Sequence, residues 1–218
     1  MAACRAAACA LLAVATPVAA EPCRIEVIEK GTGWPVPLVE LQTVHGVKLV
    51  SDNAGLIAFD LPEAMGRETW CGVRGFGYGV PKDGFGNEGV RITPRPGTRL
   101  TLEVERRIVA KRLGRITGAG LFAESQKLGE HADWVEQGVV GCDSVQNAVL
   151  DGKVFWLWGD TSLARYPLGI FDGTAARTAL RPLDRLAPPL RIRFQYYQDA
   201  AGTPKPIARM AGSGPTWV

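Results

Sequence analysis

The residues best suited to chemistry stand together in "GKVFWLWGDTSLARYP", residues Gly152 to Pro167, where Phe155, Trp156, Leu157 and Trp158 run into Gly159-Asp160-Thr161. Two roles fit this composition. Aromatic rings beside a carboxylate can form one wall of a sugar site, with ring faces against the sugar and the acid accepting from its hydroxyls. The same residues also make a buried strand that stops at a polar turn, with Asp160 accepting bonds from the turn's own amides. Period two sets Phe155 and Leu157 on one face, Trp156 and Trp158 on the other. An unbroken apolar run is what a strand covered on both faces requires. Core positions are expected for Phe155, Leu157 and Trp156. Trp158 is the residue placed to reach a pocket, because Gly159 beside it leaves room for a ligand, and Asp160 is placed to bond that ligand.

Little else in the chain suggests chemistry. The two histidines, His45 and His131, stand alone, and no Cys-x-x-Cys or Cys/His spacing suits zinc. No metal and no cofactor is therefore expected. "GFGYGVPKDGFGNEG" (residues 75–89) holds six glycines. A phosphate loop needs a helix N-terminus after it, and Pro81, Pro94 and Pro96 intervene, so this stretch reads as a strand-connecting loop. The formal net charge of +3 is too small to argue for nucleic acid or membrane. The basic run "RRIVAKRLGR", Arg106 to Arg115, reads as a solvated strand end and linker.

The N-terminus carries "ACALLAVATPVAA" after Arg5, with Val18 and Ala20 set before Glu21 as a signal-peptidase site requires. Residues 1–20 are expected to be a signal peptide, and the protein to be secreted or periplasmic with no integral membrane segment after cleavage. Three cysteines then remain: Cys23, Cys71 and Cys142. Export permits a disulfide. Cys23 and Cys71 fall in predicted strands of one module and are the pair to test first. Buried, unpaired thiols are the alternative.

Residues 23 to about 107 read as short strands with turn punctuation. "CRIEVIE" sets Ile25 and Val27 against Glu26 and Glu29. "VPLVELQ" alternates Val36 and Leu38, then Val39 and Leu41. "GVKLVSDNAGLIAFDL" reads as two strands about Asp52-Asn53-Ala54-Gly55, and "TRLTLEVERR" faces Leu100, Leu102 and Val104 one way. Strands at such spacing without a convincing helix argue for a β-sandwich. After residue 108 come a connecting stretch, a short helix near Ala123 to Leu128, and two hairpins. One turns at Asp151-Gly152, the other at Asp199 to Gly202. Their spacing suits successive propeller blades.

Two resemblances add to this. "GTGWPVPLVELQ", "LVSDNAGLIAFDL" and "VRGFGYG" are similar to the carboxypeptidase regulatory-like, or Cna-B and transthyretin-like, domain, which implies a seven-stranded Greek-key sandwich with no catalysis of its own. "CDSVQNAVLDGKVFWLWGDTS" resembles the opening blade of five-bladed propellers among secreted glycoside hydrolases. That likeness implies Asp143 as the acid leading an inner strand and Asp160 as the Gly-Asp-Thr acid. Ser144 follows Asp143 where the family carries an Asn-Asp-Pro type motif.

The expected fold is all-β: a Greek-key β-sandwich over 21–109, then an incomplete propeller of about two blades over 110–218. A closed ring needs at least four blades, so the chain is expected to be the front part of a longer protein. The expected function is that of a secreted carbohydrate-associated protein, glycoside hydrolase-like if full length, with Asp143 catalytic and Trp158 and Asp160 binding substrate. The partner would be a polysaccharide or glycan. The alternative is a non-catalytic extracellular binding or structural module. Whether catalysis occurs is left open, because hydrolysis usually needs two carboxyl groups roughly 5 to 5.5 Å or 6.5 to 9.5 Å apart.

Overall fold

The computed structural model describes residues 21–117, 123–134, 138–163, 166–170, 173–182, 189–207 and 212. The expected signal peptide lies outside the described residues. The fold is all-β. No helix among the described residues is long and apolar enough to cross a membrane.

The first unit holds eight strands: β1 (Cys23–Glu29), β2 (Glu40–Thr43), β3 (Lys48–Val50), β4 (Leu56–Phe59), β5 (Thr69–Arg74), β6 (Tyr78–Gly79), β7 (Gly89–Ile92) and β8 (Arg99–Arg106). They form two four-stranded sheets, β4-β1-β8-β6 and β3-β2-β5-β7. β1 and β8 run parallel, and the other pairings are antiparallel. Both sheets turn alternate side chains into one apolar cluster that includes Ile25, Val27, Leu41, Ile57, Phe59, Val73, Leu102 and Val104. Each such side chain contributes about 1.5–3 kcal/mol through burial.

Three details depart from the sequence pattern. Glu29, set with the wet face by its type, shares the parity of Ile25 and Val27 and is buried. Arg106 Nε at 3.2 Å and Lys111 Nζ at 3.9 Å neutralise it, and the Tyr78 hydroxyl donates to it over 3.4 Å. Next, "VPLVELQ" breaks phase at Leu38, whose φ is 59°, which lets both Val36 and Val39 point inward. Buried Ser51 bridges the break, its hydroxyl accepting from Val39 N at 2.9 Å and donating to Val36 O at 2.8 Å. Last, β3 and β4 lie in different sheets, so Asp52 to Gly55 is a corner between sheets. Gly55 is required there twice over, since its φ is +72° and a Cβ would stand 2.6 Å from Val27 O.

The chain past residue 109 returns to this unit. The helix α1 (Glu124–Lys127) sits on the corner, where Ser125 N donates to Asp52 Oδ2 at 2.8 Å and Ala58 N donates to Glu124 Oε2 at 2.9 Å. Asn53 closes on Arg115 in both directions, each bond 2.8 Å long.

The second unit holds β9 (Val139–Cys142), β10 (Gln146–Leu150), β11 (Lys153–Trp158), β12 (Thr161–Leu163), β13 (Tyr166–Ile170), β14 (Thr174–Ala179) and β15 (Gln195–Tyr196). The sheets are β10-β11-β14-β15 and β13-β12-β9. The Asp151-Gly152 hairpin forms as expected between β10 and β11. The Asp199 turn also forms, with Asp199 Oδ1 accepting from Ala201 N at 2.9 Å and Thr203 N at 3.0 Å. The two hairpins, read as successive blades, enter one sheet. Among the described residues beyond the second turn only isolated bridges form, at Pro204 and Pro206, since proline cannot donate to a ladder.

Cys23 and Cys71 lie in the same cluster, both fully buried, and both are free thiols. The disulfide expected first is not formed. Burial pushes the Cys71 thiol up and the half-buried Cys142 thiol up to about 11. Thiolate is the reactive form. Both Cys23 and Cys71 are 0% exposed, so a thiol reagent at pH 7.5 is expected to leave them untouched in folded protein and to titrate both after denaturation without reductant. Two thiols missing from the denatured count would mean that the bridge exists in the exported protein.

Candidate functional site

β9 and β12 bring the two predicted acids together. Cys142 pairs with Thr161 at the end of the ladder, so Asp143 and Asp160 are the next residues along each strand. Asp143 N donates to Asp160 O at 3.2 Å, and Gly159 N donates to Asp143 O at 3.1 Å. Gly159 makes the approach possible, because a Cβ there would stand 2.8 Å from Asp143 Oδ1. Ser144 completes the tight turn with φ of 47°. Thr161, fully buried, anchors the strand start through its hydroxyl, 2.7 Å from Thr174 Oγ1.

The two acids differ in setting. Asp143 is exposed and Asp160 is buried. Burial first, and then the charge of Asp143, hold the Asp160 carboxyl above the ordinary carboxylate range. The folded state thus keeps this proton to a higher pH than the unfolded chain does. Ionising Asp160 opposes folding, so its contribution is best below the ordinary aspartate pKa and declines as pH rises through the raised value. Asp160→Asn is expected to raise the midpoint of thermal unfolding at pH 7 and to change it little at pH 3. Equal shifts at both pH values would remove the charge explanation.

The aromatic run is a packing device. Trp158 is 1% exposed. It stacks on Trp156 at 6.1 Å and 7°, and meets Phe194 edge-on at 5.1 Å and Tyr196 at 5.6 Å. The residue expected to reach a pocket thus presents no ring face to solvent. Phe155, Trp156 and Leu157, all expected in the core, are half-buried, with Phe155 edge-on to Tyr197 at 6.3 Å. The period-two reading was correct, and the faces differ in what covers them: Phe194 and Tyr196 come from a distant stretch to close over the tryptophan face.

Sequence reasoning missed a cavity of about 360 Å³ beside Trp156, walled by Thr178 and by Arg181, Arg191 and Arg193. The Trp156 indole N–H donates to Thr178 Oγ1 at 2.8 Å. Asp133 carries ion pairs to both Arg191 and Arg193, and these guanidinium groups hold its carboxyl below the ordinary range. The signal was "RIRF", whose alternating arginines share a face. Among the described residues no group of three or more His, Cys, Asp or Glu side chains is placed to hold a metal ion. No protein-family model and no curated protein matches the chain.

Proposed function

We propose that this protein is an exported, carbohydrate-associated protein in which a Greek-key sandwich carries a propeller-like second unit, and that Asp143 and Asp160 form its glycan-facing acid pair. The reading rests on one observation, that Asp143 and Asp160 stand side by side at the ends of β9 and β12, where the absence of a Cβ at Gly159 leaves room for the Asp143 carboxylate. A buried acid whose carboxyl titrates above the ordinary range, beside an exposed aspartate, is an arrangement that general acid–base work on a glycosidic bond can employ. In this assignment Asp160 is the general acid and Asp143 is its partner. The four-stranded antiparallel sheet β10-β11-β14-β15 corresponds to a single blade.

The second reading is a non-catalytic glycan-binding module. The burial of Trp158 favours it, since no aromatic platform stands over the acid pair. Hydrolysis assays and glycan-array binding on the same preparation separate the two. Turnover that falls about 10²–10⁴-fold in Asp160→Asn, with Asp143→Asn also impaired, supports the acid pair as catalytic. Binding without turnover, weakened in both variants, supports the module. Neither binding nor turnover on a broad array removes both readings. Export is checked by N-terminal sequencing of protein recovered outside the cytoplasm, which is expected to begin at Glu21.

A further inference from the structure

The outer face of the β3-β2-β5-β7 sheet contains a trough. Gly72 of β5 stands opposite Gly89 of β7, and Gln42 of β2 stands opposite Gly72 on the other side. Cys71 and Val73 alternate into the core, so Trp70, Gly72 and Arg74 face outward. Neither glycine has a positive φ, so backbone conformation does not call for them. Glycine weakens a strand, and within one it marks a place where something approaches closely. Here the near neighbour is an aromatic ring. A Cβ on Gly89 would lie 2.4 Å from the Trp70 indole, and one on Gly72 would lie 3.4 Å from it. The indole therefore lies across the two glycines.

The trough opens into a cavity of about 640 Å³ bounded by Gln42, Thr43, Trp70, Arg74, Asn87 and Arg107. That volume lies in the usual range for small-molecule sites. One wall is rigid. Asp83 Oδ1 accepts from Phe85 N and Asn87 N, each at 2.9 Å, and these backbone bonds help hold its carboxyl low. Arg107 Nη1 donates to both oxygens of Glu88 at 2.9 Å, while its Nη2 donates to Val80 O at 2.8 Å. Glu88 and Arg107 thus cancel in charge. By contrast, the side chains of Gln42 and Arg74 make no hydrogen bond or ion pair among the described residues. The trough offers an aromatic ring, an unengaged amide and an unengaged guanidinium.

We propose that this trough binds a uronate residue of an acidic polysaccharide. A pyranose turns a face of C–H bonds toward the electron-rich face of the indole. Its carboxylate takes the guanidinium fork of Arg74, which fits a carboxylate with two parallel bonds. Gln42 both donates to and accepts from ring hydroxyls. The site is separate from Asp143 and Asp160 and stands whether or not they act on glycan.

Trp70 also covers two strand glycines, as aromatic residues do in sheets, so Trp70→Ala would disturb the fold as well as the site. Arg74→Ala and Gln42→Ala remove no hydrogen bond or ion pair among the described residues and carry the test. The full chain is run in native gels containing polygalacturonate, neutral galactan or polyglutamate. Polygalacturonate is expected to retard it, and the other two polymers to leave its mobility unchanged. Arg74→Ala should need about tenfold more polygalacturonate for half-retardation, and Gln42→Ala should weaken retardation in the same direction. Equal retardation of wild type and Arg74→Ala would overturn the proposal. So would retardation by polyglutamate at the same concentration, or no retardation by polygalacturonate.

Discussion

Replacing Trp158 by alanine is expected to destabilise the second unit by about 3–5 kcal/mol. The ring is 1% exposed and packs against Trp156, Phe194 and Tyr196. No neighbouring backbone is free to collapse into the space, because β11 is hydrogen-bonded on both sides, to β10 and β14. The indole N–H, however, is buried with no hydrogen-bond partner among the described residues. An unmade buried bond costs about 1–3 kcal/mol. Trp158→Phe keeps most of the ring and removes that donor, so it is expected to cost much less than alanine. Urea unfolding of the three proteins, followed by near-ultraviolet dichroism, measures both differences. A phenylalanine variant as unstable as the alanine variant would show that the indole N–H finds a partner in solution. An alanine variant of undiminished stability would return Trp158 to the wall of a site.

Asp52→Ala is expected to cost about 3–4 kcal/mol through the first unit. Asp52 is 2% exposed. Its Oδ1 accepts from Ala54 N at 2.9 Å and Leu56 N at 3.1 Å. Its Oδ2 accepts from Ser125 N at 2.8 Å and from the Ser125 hydroxyl. Alanine orphans all of these donors at once. Asparagine is expected to rescue little, because an amide that keeps Oδ1 toward Ala54 and Leu56 turns its NH₂ toward the Ser125 N–H. The same geometry concerns where the first unit ends. A fragment covering 21–109 lacks Ser125 and Glu124 and leaves Asp52 Oδ2 and Ala58 N uncapped. A fragment covering 21–130 keeps them. The longer one should have the higher denaturation midpoint, and Asp52→Ala should cancel most of that advantage. Equal midpoints for the two fragments would mean that α1 contributes nothing to the corner.

Alternation alone was enough to read the strands of the first unit. Ile25 and Val27 in β1, and Leu102 and Val104 in β8, sit on the core face because a strand reverses its side chains at every residue. Turn chemistry was equally local: Asp151-Gly152 and Asp199 to Gly202 turn the chain wherever they stand. The all-β class follows from these two kinds of signal. The partners of each strand did not follow. Nothing in "KLVSDNAGLIAF" says that Lys48–Val50 and Leu56–Phe59 belong to different sheets. That outcome is set by pairing with other segments, β3 with β2 and β4 with β1. Glu29 was misjudged by type, since only the fold could bring Arg106, Lys111 and Tyr78 to neutralise it. The candidate site divides the same way. The identities of Asp143, Gly159 and Asp160 were legible, and their meeting required the β9–β12 ladder. Burial of Trp158 required Phe194 and Tyr196 from a distant stretch, and the Trp70 trough required Gly72 and Gly89 to face each other across two strands. Periodicity and turns act within a few residues of themselves, so the sequence carries them on its face. Side-chain neighbourhoods are set by contacts between segments far apart in the chain, and only the folded structure decides those.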